Sequence, residues 1–146
     1  MQVCLPCIVK AEQTEETQLS LYAASGLSIS NTGNATFGET SYPSVEFGFS
    51  KGALSLGLVV GRSNNDYTSE EILSNYWWEM KTALSIPVDS FTAYGLLGIG
   101  HYLSTDRLFI EYGVGVSHSW DQLALFAQVS NWDGFWYITP GLSYTF

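Results

Sequence analysis

Four ionisable side chains stand among glycines and serines in segments otherwise poor in charge: Glu46, Glu79, Lys81 and Glu111. Carboxylates and an ammonium gathered in this way could relay protons, line a narrow pore, or hold a structure together as an ion-paired plug. Other groups able to do chemistry are scattered. Only His101 and His118 offer an imidazole base, and His118 has Ser117, Ser119 and Asp121 beside it. Adjacent residues of a strand point to opposite faces, so that run does not assemble a nucleophile, base and orienter. Cys4 and Cys7 form a Cys-x-x-Cys, but no strand-helix-strand pattern follows, and two cysteines fall short of a four-ligand zinc site. No phosphate-cradling glycine loop or metal-spaced cluster occurs elsewhere, so no catalytic residue, cofactor or metal is assigned.

Composition bounds the architecture that must position these groups. A chain of 146 residues makes one domain, long enough for a closed eight-stranded sheet but not for two cores. Charged residues are 13% and aromatics 15%, with Gly, Ser, Tyr and Trp crowding segments poor in helix formers, which is a β composition. No stretch reaches the ~18 to 20 uninterrupted apolar residues of a transmembrane helix, so such a chain spans a membrane only as a barrel. Five Lys and Arg against fourteen acids, a net charge of −9, cannot form a phosphate-tracking stripe, which argues against a nucleic-acid partner. The apolar run Val3 to Ala11 gives way abruptly to Glu12, Glu15 and Glu16. Residues 1–11, with both cysteines, are therefore expected to be residual signal or leader sequence, 12–18 a periplasmic N-terminal extension, and 19–146 the barrel domain.

Eight runs of alternating character cover about residues 19–30, 42–50, 53–62, 75–86, 91–103, 107–118, 122–131 and 135–146. Their lengths match the ~9 to 11 residues of a tilted transmembrane strand, and an even count suits an up-and-down closure. Polar connections at Asn31–Ser41 and Ser63–Ser74 are long, whereas the turns near Lys51, Asp89 and Asp121 are short. Long loops at one end and tight turns at the other are the outer-membrane pattern, although the loops near Asp106 and Asp133 are short as well. The outer rim carries Glu39, Asp66, Glu70, Glu71, Asp106 and Asp133 against Arg62 and Arg107, an acidic surface that could meet a basic extracellular protein partner, bridge through divalent cations to lipopolysaccharide phosphates, or simply be solvated.

Parity separates two faces on each strand. Leu54, Leu56, Leu58 and Val60 oppose Ser55, Gly57, Val59 and Gly61; Trp78, Met80, Thr82, Leu84 and Ile86 oppose Trp77, Glu79, Lys81, Ala83 and Ser85. Leu108, Ile110, Tyr112, Val114 and Val116 oppose Phe109, Glu111, Gly113, Gly115 and Ser117. The large apolar set is expected to face lipid and the small polar set the lumen; a soluble ligand-binding barrel would invert this. Glu46, Glu79, Lys81 and Glu111 all share the small-residue face, and eight strands enclose a lumen that side chains can fill, so a polar plug is favoured over a narrow pore. Three acids to one base leave either water in the lumen or one carboxyl protonated. Interior glycines let aromatics such as Tyr94, Tyr102 or Phe126 lie over bare backbone. Trp77, Trp78, Trp132 and Trp136 fall at strand ends toward the outer rim and Trp120 toward the inner one, the places of interfacial aromatic belts.

Three resemblances add to this reading. Thr139, Gly141, Tyr144 and Phe146 fill in register the pattern of the outer-membrane β-signal, which implies recognition by the outer-membrane barrel assembly machinery. Architecture over residues 19–146, with its internal Glu and Lys cluster, resembles the OmpA/OmpX-type small barrels, which implies an all-β, eight-stranded antiparallel up-and-down transmembrane β-barrel in a bacterial outer membrane, in contact with membrane lipid and lipopolysaccharide. Gln128-Val129-Ser130-Asn131 is similar to the His-x-Ser-Asn of lipid A 3-O-deacylases, keeping the Ser and Asn but placing Gln, which cannot act as a base, where the His is expected. The expectation is a non-enzymatic barrel with a structural, adhesion or envelope-integrity role, with a lipid A-modifying enzyme, a narrow pore and a soluble ligand-binding barrel as the rivals.

Overall fold

The computed structural model describes residues 18–30, 41–62, 76–103, 106–132 and 134–146. The expected leader, residues 12–17 of the extension, and the loop acids Glu39, Asp66, Glu70, Glu71 and Asp133 lie outside them. Eight antiparallel strands run β1 Ser20–Ser30, β2 Ser41–Lys51, β3 Leu54–Arg62, β4 Tyr76–Val88, β5 Phe91–Tyr102, β6 Arg107–Trp120, β7 Leu123–Trp132 and β8 Phe135–Thr145. Each pairs with the next, and β8 returns to β1, giving a closed up-and-down barrel with no helix among the described residues. Closure carries Tyr22 opposite Thr145 and Ile29 opposite Ile138.

The tight-turn end is set by local chemistry. Gly52, Asp89 and Asp121 each open a two-residue connection with positive φ, at 60°, 53° and 52°. Hairpins this short need left-handed residues so that the loop twist matches the strand twist, and Asp tolerates that region better than most side chains. Leu54, Pro87 and Thr92 follow or precede these turns without breaking the ladder.

Period-two alternation fixes what each face meets. Outward residues are large and apolar all around the ring, including Phe47, Leu58, Ile86, Leu97, Ile110, Val114, Leu125 and Ile138, and Val114 is 65% exposed. Water would oppose so continuous an apolar band, since soluble monomers rarely expose patches beyond a few hundred Å². The barrel is a transmembrane one, and this apolar band is its outer wall.

Inward residues obey a second rule. Five large lumen side chains each stand directly across the ladder from a glycine: Tyr22 from Gly48, Trp77 from Gly61, Tyr94 from Gly115, Phe109 from Gly100 and Phe126 from Gly141. A ring lying over bare backbone needs the space that a Cβ would take, and at all five glycines a Cβ would collide with its ring. Tyr102 departs from the expected pattern. Its partner across the ladder is Arg107, and it packs instead on Phe109 with ring centroids 4.8 Å apart.

Gly141 is enclosed on both sides, because a Cβ there would meet the Phe126 ring and the Ser25 carbonyl of β1. Gly141→Ala is therefore expected to destabilise the barrel by about 1–3 kcal/mol, the usual range for overpacking. Urea midpoints in detergent micelles measure this, and a midpoint equal to the parent's would show that the close approach is not needed.

Candidate functional site

The lumen holds the groups with chemical potential, and they sort into three layers. At the tight-turn end is an open chamber of about 170 Å³ among small polar residues such as Ser50, Ser85, Ser117 and Ser143. These side chains come from β2, β4, β6 and β8, whose strands bring serine to the inward parity at that level.

An ionic layer forms the chamber's inner wall. Lys81 Nζ pairs with Glu46 Oε2 at 2.5 Å, while the Tyr22 hydroxyl donates to Glu46 Oε1 at 2.6 Å. Further along the axis, Glu79 and Glu111 are neighbours, and Gln128 Nε2 donates to Glu111 Oε1 at 3.3 Å. Gly98 makes this possible: it lies opposite both Lys81 and Glu111, and the Glu79 carboxyl occupies the space its missing Cβ would fill. Ser28 and Thr139 join hydroxyls at 2.8 Å across the β1–β8 closure at the same depth. All four residues expected in the lumen cluster, Glu46, Glu79, Lys81 and Glu111, point inward, with Glu79 and Glu111 both 1% exposed. The partners Tyr22 and Gln128 went unrecognised in the sequence. Their parity was available, but their contacts depend on the register between strands that are distant in the chain.

The third layer, toward the long-connection end, is aromatic. Trp77, Phe109, Trp132 and Tyr137 are buried around the axis, with Tyr42 and Tyr102 packed against them. Trp77 and Trp132 meet edge to face at 4.8 Å, Phe109 stacks on Trp132 at 5.7 Å, and Tyr137 lies 4.7 Å from Trp132. Here the structure corrects the expected aromatic belts. Trp78, Trp120 and Trp136 are exposed on the outward face, but Trp77 and Trp132 are 1% and 2% exposed in the lumen. Height along the strand places a Trp at a rim, whereas parity decides which side of the wall it takes, and these two share the faces of Glu79 and Ser130.

The remaining candidates do not converge on a site. His101 Nε2 lies 2.8 Å from Asp106 Oδ1 beside Trp78 at the long-connection end. His118 packs between Phe91 and Trp120 at the other end, its Nδ1 donating to the Ser90 carbonyl at 2.7 Å. Gln128 and Ser130 are buried in the lumen, and Asn131 Oδ1 accepts the Gly134 amide at 3.1 Å between β7 and β8. Of the residues that resemble the β-signal, Gly141 receives Phe126, Tyr144 donates to Gln122 Oε1 at 2.6 Å, and the Phe146 amide donates to the Leu21 carbonyl at 2.9 Å. Among the described residues no cluster of metal-ligating side chains occurs.

Fold and lumen together define a small transmembrane β-barrel with polar, ionic and aromatic side chains layered along its interior. The chain matches no protein-family model and no curated protein. It is similar to the crystal structure of Neisserial surface protein A, NspA, with a TM-score of 0.54 at 12% identity over 88% of this chain and 97% of that one. At that identity the likeness shows the fold alone.

Lys81→Met should leave Glu46 as an uncompensated charge in a confined space and cost about 3 kcal/mol, at the low end of the range for breaking buried pairs. Adding Glu46→Gln should restore most of the loss. Equilibrium unfolding of the two single variants and the double variant gives the coupling, and strictly additive costs would mean that the pair does not hold the layer together.

Proposed function

We infer that the protein resides in a bacterial outer membrane and serves a non-enzymatic structural, adhesion or envelope-integrity role, with a lumen that is plugged rather than conducting. The observation that carries this reading is the aromatic layer of Trp77, Phe109, Trp132 and Tyr137, seated directly above the Glu46, Lys81, Glu79 and Glu111 layer. A pore needs a continuous wetted path, and rings packed with centroids 4.7–5.9 Å apart across the lumen support a plug instead. The plug is thus polar in one half and aromatic in the other.

An absence of catalysis is supported by the placement of the Gln128–Asn131 segment. Ser130 is fully buried and Gln128 is 5% exposed, so neither meets a lipid on the outer wall. Nucleophilic attack on an acyl ester also needs a base within hydrogen-bond reach, and Gln128 is engaged with Glu111 instead. In this reading the working surfaces are the apolar wall, which meets membrane lipid and lipopolysaccharide, and the acidic outer loops, which suit an extracellular protein partner. Residues Gly141, Tyr144 and Phe146 serve recognition by the barrel assembly machinery.

Reconstitution into planar bilayers tests the central point. The parent protein should give no stepwise conductance, and replacing Trp77 and Trp132 together by Ala should raise ion leak while lowering stability by several kcal/mol. Stable ohmic channels from the parent would overturn the plugged lumen. Lipid A from cells expressing the protein should have an unchanged mass spectrum, and loss of one acyl chain would replace this reading with the deacylase one.

A further inference from the structure

The outward wall between β8, β1, β2 and β3 is indented by a groove of about 590 Å³, within the roughly 300–1,000 Å³ of ordinary ligand sites. Two prolines make it. Pro140 on β8 and Pro43 on β2 flank Leu27 of β1, and proline has no amide hydrogen to give to a ladder. The β1–β8 ladder runs from Tyr22 to Gly26 and resumes at Ile29, skipping the stretch opposite Pro140. The β2–β3 ladder stops at Ser44 and Gly61, one step before Pro43 would meet Arg62. Ser25 is the short side chain on the groove floor, between the taller Val45 and Leu142 that stand opposite it on either side.

Arg62 stands at the long-connection end of this groove, exposed, with its guanidinium 5.8 Å from the Tyr76 ring centroid. An arginine on the outer wall is an anomaly that calls for a partner. Lys81 lies in the lumen, Arg107 has the lumen parity of Phe109 and Glu111, and Lys51 sits at the tight-turn end. Arg62 is therefore the one strong base on the outward face near the long-connection rim, among the described residues. Lipid-facing cations cost least near the interface, where the stem lies on apolar surface and the head reaches the headgroups. There a guanidinium engages phosphate oxygens through two parallel hydrogen bonds, and Arg62 stands over the face of the Tyr76 ring as it does so.

We propose that the groove ending at Arg62 is a binding site for a phosphorylated lipid of the outer leaflet, a bisphosphorylated, multiply acylated glucosamine disaccharide (lipid A), with one acyl chain along Leu27, Pro43 and Pro140 and a phosphate on Arg62. The site deepens the outer-membrane reading and rests on it. A second outward groove of about 610 Å³, lined by residues such as Ala93, Gly95 and Ala127 of β5 and β7, has no charged residue in its lining. It offers an acyl chain the same apolar contact without a phosphate ligand, and so serves as the internal control.

Protein refolded in a non-ionic detergent, its fold verified by the gel shift on boiling, is titrated with bisphosphorylated lipid A, the dephosphorylated form and phosphatidylethanolamine, and retention is read by native mass spectrometry. The parent should retain one bisphosphorylated lipid A in preference to the other two. Arg62→Ala should weaken that binding about tenfold, the scale of a lost charge-assisted hydrogen-bond pair, and Arg62→Lys should recover part of it. Ser25→Phe, which fills the groove from the lipid side, should weaken retention of every lipid, whereas Ala93→Phe in the control groove should leave lipid A retention unchanged. Equal retention of phosphorylated and dephosphorylated forms by the parent, or an Arg62→Ala variant that binds as the parent does, would overturn the proposal. Absence of the boiling shift, or recovery of the native protein outside the membrane fraction, would instead strike the outer-membrane reading.

Discussion

Everything in this barrel depends on one constraint: in a bilayer, every backbone amide and carbonyl must find its partner within the chain. A sheet meets that demand only by closing, and the β1–β8 pairing that joins Tyr22 to Thr145 and Ile29 to Ile138 is the step that removes the last edges. Closure then dictates the rest. Once each strand has a lipid side and a lumen side, a one-residue slip would turn Leu58 inward and Val59 outward along with every neighbour, so register and hydrophobic pattern enforce each other.

Closure at eight strands also fixes the lumen's width, and the chain fills that width in a specific way. Large inward rings are accommodated by glycine on the adjacent strand, which is why Trp77 stands across from Gly61 and Phe109 from Gly100. The same device serves charge: Gly98 yields the volume in which Glu79 approaches Glu111. Packing and electrostatics are thus coupled through residues that have no side chain, and a methyl group at these positions would disturb a ring or a carboxyl on the next strand.

Much of this was legible in the sequence because a barrel strand exposes its logic with period two. The eight strands fall within a few residues of the runs read from alternation, and the short turns follow from Gly52, Asp89 and Asp121. The inward position of Glu79, Lys81 and Glu111 follows from the same alternation. Trp77 and Trp132 show where reading by height misleads, because residue type drew them to the membrane interface while parity sent them inside. The Tyr22–Glu46 and Gln128–Glu111 contacts were illegible for a different reason. They are set by stagger between strands, and stagger accumulates around the ring from turn geometry that no single segment carries.

The gradient along the lumen axis follows from the two ends being built differently. Tight turns leave little chain to cover the opening, so the residues there must tolerate water, and serines with an open chamber of about 170 Å³ do so. At the other end the strands Phe135–Thr145 and Arg107–Trp120 bring Tyr137 and Phe109 inward, where they pack with Trp77 and Trp132 as apolar surface. Ion pairs belong between these regions. Lys81 and Glu46 border the chamber with their side chains slightly exposed, which lowers the desolvation cost of holding charge inside a membrane. The lumen thus grades from an open polar chamber through an ionic layer to packed rings, each layer supplied by the same inward parity at a different height along the strands.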